Sequence, residues 1–162
     1  MSMRFPRDIG MAVTRRRFIC MGLGVAAVTL VGCSNATPAP RAVRLKRDVC
    51  PFCGLPVYDS RYAAEIWDSE YRRVRVYDDF GCAVLAAAQR GELERSDIGF
   101  WVADETDPTR WLDARSARYR SDAKTPMEFG HAAGPSEGHP LDFATAVAAV
   151  REKALCAHLG ST

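Results

Sequence analysis

The sequence predicts an α+β fold in which small mixed or antiparallel sheets carry packed helices, and three observations lead there. Short β-branched and aromatic runs bounded by turn residues read as strands. Two longer Ala- and Leu-rich segments read as helices. Their order, strand–strand–helix followed by strands and a helix again, describes two similar ββαβ-type halves and an internal duplication.

The elements follow along the 162-residue chain. Tyr62–Trp67 and the alternating Tyr71–Tyr77 read as a hairpin turning at Asp68-Ser69-Glu70. Asp78 or Asp79 caps a helix from Phe80 to Gln89, with Gly91 just past its end. Ile98–Val102 is a strand, Trp111-Leu112 resumes the pairing, Ala117–Tyr119 is a further short strand, and Met127–Ala132 forms or precedes another. Gly134–Pro140 reads as a mobile Gly/Pro/His loop, and Leu141–Leu159 as an amphipathic helix. Trp67, Trp101 and Trp111 fall in strand-like runs and are expected in the core.

The N-terminus reads as an export signal. Arg15-Arg16-Arg17-Phe18 is a twin-arginine pattern, and Met21–Val31 suits a signal h-region but is too short to span a bilayer. Leu30-Val31-Gly32-Cys33 is similar to a lipobox, which makes Cys33 the expected lipidation site. Residues 1–32 are then a twin-arginine lipoprotein signal peptide, 33–45 a lipidated N-terminus and tether, and 46–162 the functional domain, on the periplasmic side of a bacterial membrane. Removing 1–32 from 162 residues leaves 130, enough for one domain with a core. The signal holds five of the 22 Lys+Arg and one of the 20 Asp+Glu, so the remainder carries 17 basic and 19 acidic side chains. A formal charge of −2 gives no basis for nucleic-acid binding.

Beyond Cys33, four thiols remain, Cys50, Cys53, Cys82 and Cys156, and one methionine, Met127. An even thiol count in an oxidising compartment permits disulfides, and it equally permits a soft-metal site. Cys82 at the head of the first helix and Cys156 on the last read as packing residues, with a Cys50–Cys82 disulfide an open alternative. Asp78-Asp79 and Glu92/Glu94 read as a helix cap and solvated surface, and the Arg72/Arg73/Arg75 and Arg115/Arg118/Arg120 sets as faces toward a partner or anionic lipid, or simply toward solvent, which alternation alone would generate. No triad, phosphate loop or nucleotide fingerprint is present, so no enzyme class is indicated.

Five ordered motifs carry a resemblance: Asp48-Val49-Cys50-Pro51-Phe52-Cys53-Gly54, Ala63-Ala64-Glu65-Ile66, Asp78-Asp79-Phe80-Gly81-Cys82, Trp111-Leu112-Asp113-Ala114 and Lys124-Thr125-Pro126-Met127. Together, over about residues 48–150, they resemble the NosL family of copper-binding periplasmic lipoproteins. The resemblance implies two ββαβ-type halves, Cu(I) binding without enzyme activity, and delivery of copper to nitrous oxide reductase, with a copper-donating membrane protein as a further partner. One departure stands out. The family's Cys-x-Met would place a methionine two residues after Cys53, where this chain has Leu55.

The residues point to a soft ion on their own terms. Cu(I) accepts two or three ligands and favours thiolate and thioether. Cys53, in a turn where its sulfur stays accessible, is the first candidate ligand, and Met127, in a loop flanked by Pro126 and Glu128, the second. His131 is the candidate imidazole in place of the missing thioether, with His139 in reserve and Cys50 as a further thiolate. Two other readings stay open at this stage. Cys-Pro-x-Cys-Gly has the shape of a zinc knuckle, although no second Cys-x-x-Cys exists and Cys82 and a histidine would have to complete it. Cys50 and Cys53 could also act as a thiol–disulfide pair on a copper-site partner, although Gly54-Leu55-Pro56 does not continue as a helix.

Overall fold

The computed structural model describes residues 37–159. The twin-arginine motif and Cys33 lie outside the described residues. No helix among those described is long and apolar enough to cross a membrane.

Asp59 accepts the Arg61 N–H and opens a single 3-10 turn, Ser60–Tyr62, that turns the chain into β1, Ala64–Asp68. β2, Arg73–Tyr77, returns antiparallel with Ala64 opposite Tyr77 and Asp68 opposite Arg73. The turn between them lies later than 68–70. Asp68 is still paired, its carboxylate accepts the Tyr71 N–H, and Arg72 takes the left-handed φ of 49° that the corner needs. Asp79 then caps α1, Phe80–Gln89, accepting the Gly81 N–H at 2.8 Å, and Gly91 leaves the helix at φ 65°.

β3, Phe100–Ala103, pairs with the far side of β1, and β4, Trp111–Asp113, pairs with β3. The result is a four-stranded antiparallel sheet of order β2-β1-β3-β4. β5, Arg118–Arg120, and β6, Ala132–Gly134, form a separate antiparallel pair, and α2, Phe143–Leu159, closes the described chain. The α+β class is thus as the sequence predicts, with halves that differ. The second half carries two three-residue strands. Residues 127–131 precede the strand rather than form it, and β6 begins at Ala132, because Glu128 (φ 58°) and Gly130 (φ 85°) hold left-handed backbone incompatible with a ladder.

An aromatic cluster joins the halves. The Phe80 and Tyr119 rings lie 4.6 Å apart, and Phe100 and Phe143 meet edge to face at 5.8 Å. Tyr119 Oη donates to the Ala114 carbonyl at 2.6 Å, so its polar end is satisfied inside the core.

Several side chains depart from the expected pattern. Trp67, Trp101 and Trp111 are only half-buried, and the large side chains of the core are Tyr77, Phe80, Phe100 and Tyr119 instead. Arg75 is buried and paired with Glu92 at 2.5 Å and Asp68 at 3.6 Å. Cys156 is exposed on α2. His139 is buried, its Nε2 2.7 Å from Glu105 Oε1, so the 134–140 loop is pinned there. Residues 41–44, within the expected tether, are docked: Arg41 N–H donates to Glu65 Oε2 at 2.8 Å, and Arg41 and Arg44 both grip Asp48.

Candidate metal centre

Cys50 and Cys53 occupy the tip of a small hairpin whose arms are joined by the Val49–Pro56 bridge. Cys50 N–H donates to the Leu55 carbonyl, and Gly54 N–H to the Cys50 carbonyl, both at 2.9 Å. Gly54 turns the tip with φ 78°, a conformation that costs glycine little and any other residue more. Two cysteines three apart on such a tip point their sulfurs to one side.

The opposite wall is the β2–α1 junction. Asp78 follows the last residue of β2, Asp79 caps α1, and Cys82 lies in the first helical turn. The sulfurs of Cys50, Cys53 and Cys82 and a carboxylate oxygen of Asp78 all lie within 4.8 Å of one another. Cys53 Sγ is 3.4 Å from Asp78 Oδ1, its hydrogen-bond acceptor. Cys50 and Cys82 are 0 % exposed and Asp78 1 %, whereas Cys53 is only half-buried. An ion here would be enclosed on three sides and reachable past Cys53. All three thiols are free.

The thiols have different acidities. Cys50 is brought down to about 7, first by the hydrogen bond from Cys82 and then by backbone N–H groups of Cys53 and Asp78, against burial. Cys53 is pushed up to about 11 by burial, with Cys50 and Asp78 adding to the rise. Cys82 is raised far more, because it is the donor to Cys50 and is buried. The resting site therefore approximates one thiolate held by two thiols. The positive end of α1 also favours negative charge at this wall.

A loop from the second half packs on this wall. Met127 N–H donates to Asp79 Oδ2 at 2.9 Å, so one carboxylate caps α1 and anchors the loop. Phe129 lies so close over Gly81 that a Cβ there would come within 2.1 Å of its ring. Burial raises the Asp79 carboxyl above its ordinary value, opposed by these donors.

The structure thus brings together two of the residues expected at the site, Cys50 and Cys53, and adds two that the sequence reading gave other roles. Cys82 read first as packing, with a disulfide to Cys50 or completion of a zinc knuckle as alternatives, and Asp78 as a cap or surface acid. The available signal was Cys82 three residues after the capping Asp79, which places a first-turn sulfur beside the end of β2. Met127 stands half-buried against the main core, tied to the site through Asp79. His131 is outside the cluster. It is 4 % exposed with its ring 6.3 Å from that of Phe80, its Nδ1 donates to the Phe129 carbonyl at 2.8 Å, and its Nε2 has no partner among the described residues. Burial lowers its basicity, so the ring is held neutral.

Protein-family models, curated proteins and solved structures yield no match to this chain. The geometry accordingly carries the chemical reading: three convergent sulfurs and one oxygen make a site that could hold a metal ion.

Proposed function

We propose that the protein is a Cu(I) carrier whose cargo is held by Cys50, Cys53 and Cys82. The observation that carries this reading is the convergence of three sulfurs with a single one, Cys53, open to the surface. Three thiolates satisfy a soft d¹⁰ ion without a fourth ligand, and a half-exposed ligand gives an exchanging partner its point of attack. Binding replaces the Cys53 and Cys82 protons by copper. Asp78 Oδ1 is positioned to accept the Cys53 proton, pass it to water, and return it on release. Backbone N–H groups of Cys53 and Asp78 at Cys50 offset the negative charge of the thiolate set.

The resemblance of the five motifs to the NosL family extends the proposal to a lipid-anchored, periplasm-facing protein, with nitrous oxide reductase as acceptor. The third sulfur, Cys82, supplies what Leu55 in the family's methionine position does not. The acidities speak against a thiol–disulfide role: the more acidic thiol, Cys50, is inaccessible, and the accessible one, Cys53, is the poorer nucleophile.

A second reading has one specific observation behind it. With Asp78 as a fourth ligand, three sulfurs and an oxygen form the tetrahedral set that suits Zn(II). Competition titrations of the reduced protein with Cu(I) and Zn(II) chelators separate the two. The carrier reading expects one Cu(I) per chain and a loss of at least about tenfold in Cu(I) affinity in Cys82→Ser and in Cys53→Ser. Zn(II) held more tightly than Cu(I) relative to cellular competition, and lost in Asp78→Asn, favours the structural zinc site.

A further inference from the structure

We propose that the free edge of β2 receives an extended acidic segment of a partner protein as a fifth strand. β2 is the outer strand of its sheet. Trp67 N–H donates to the Gly99 carbonyl on the β3 side, so Trp67 and its partner Val74 form a non-hydrogen-bonded pair. The alternation then turns the N–H and C=O of Val74 and Val76 outward, and among the described residues neither finds a backbone partner there. A cavity of about 540 Å³ lies against this strand and is lined by Val74 and Val76 of β2, Trp67 of β1, and Arg41, Arg44 and Val49 of the preceding segment.

Charge selects the occupant. Arg75 is paired with both Glu92 and Asp68, whereas Arg41 and Arg44 share one carboxylate, Asp48, and Arg73 forms no ion pair among the described residues, lying 5.1 Å from the Tyr71 ring. Four guanidinium groups, Arg41, Arg44, Arg73 and Arg75, thus stand against three carboxylates, Asp48, Asp68 and Glu92, which leaves one positive charge in excess, and Lys46, Arg47 and Arg72 are exposed close by in the chain. A phosphate-bearing headgroup would use the guanidinium groups alone. An extended acidic peptide also uses the outward backbone groups and the apolar walls, which is the recognition mode of strand addition. The groove includes Val49 and Pro51, on either side of Cys50, so an occupant passes beside the thiol loop. Identifying that occupant with the copper acceptor rests on the carrier reading; the binding of an acidic strand does not.

The test uses the full-length protein and a synthetic peptide of alternating Glu and Val, with a Gln-for-Glu peptide and phosphatidylglycerol vesicles as comparisons. The Glu peptide is expected to bind with an affinity that falls as salt rises, to weaken at least about tenfold in Arg73→Glu, and to slow amide exchange at Val74 and Val76. Val74→Pro is the decisive variant, because an outward N–H at an edge can be lost without breaking the sheet while the ring blocks strand addition. Circular dichroism checks that it folds, and metal titration that the thiol site is intact. Undiminished peptide binding by folded Val74→Pro overturns the proposal. So does vesicle binding lost in Arg73→Glu with no peptide binding, which assigns the patch to an anionic membrane.

Discussion

Cys53 Sγ stands 3.4 Å from Asp78 Oδ1, so the accessible thiol of the site has a carboxylate as its hydrogen-bond acceptor. In Asp78→Asn this acceptor becomes a weaker one that cannot take the proton. Copper stoichiometry should stay at one per chain, while transfer of Cu(I) to a competing chelator slows, by about tenfold. Stopped-flow transfer kinetics read this directly. Unchanged transfer would remove Asp78 from the proton path.

Metal uptake should depend steeply on pH. Above about 7 Cys50 is already a thiolate, whereas Cys53, pushed up to about 11, and Cys82, raised further, still hold protons. Binding displaces both, so the Cu(I) affinity should rise by about two decades per pH unit between about pH 8 and about pH 10. Cys82→Ser should reduce the slope to about one. Competition titrations across that range measure it, and a flat profile contradicts the protonation pattern.

The Phe129–Gly81 contact predicts a coupling between the second half and the site. A methyl group at position 81 would sit 2.1 Å from Phe129 Cγ, so Gly81→Ala must displace the ring and with it the loop anchored at Met127. The expected cost is about 1–3 kcal/mol in urea unfolding. The double variant Gly81→Ala/Phe129→Ala should recover part of it. A cost for Gly81→Ala that persists in full without the Phe129 ring would place the strain elsewhere.

Glu65 predicts a pH-dependent stability. It is 0 % exposed in the central strand, its Oε1 has no partner among the described residues, and burial raises its carboxyl from 4.5 to about 7. A group whose folded value lies above its unfolded one stabilises fully below the unfolded value and loses that contribution as pH rises through the folded value. This residue therefore makes the fold less stable as pH rises from about 4.5 to about 7. Glu65→Gln should flatten that part of the profile. Urea midpoints at about pH 5 and about pH 8 compare the two proteins, and an identical slope in the variant excludes Glu65 as its source.

How far the sequence reveals this molecule depends on how local each signal is. The cap at Asp79, the helix from Phe80 to Gln89 and the exit at Gly91 are written in adjacent residues, and the structure has them at those positions. The turn after β1 is less legible, because cross-strand pairing carries Asp68 into the ladder. Half of the candidate site was visible as Cys-x-x-Cys. The other half was less legible: the approach of Cys82 to Cys50 stood only as an alternative because it depends on the hairpin of β1 and β2, and an acid beside a helix start looks the same whether it faces water or sulfur. His131, suggested as a ligand by its place near Met127 in the sequence, is not among the four residues of the cluster; its Nδ1 meets the Phe129 carbonyl and its ring lies 6.3 Å from that of Phe80.

The most direct test of the account is X-ray absorption on the Cu(I)-loaded protein. Three sulfur neighbours are expected in the wild type, falling to two in Cys82→Ser and unchanged in His131→Ala and Met127→Leu. A nitrogen neighbour lost in His131→Ala, or a shell in which Cys82→Ser changes nothing, would contradict a centre built from Cys50, Cys53 and Cys82.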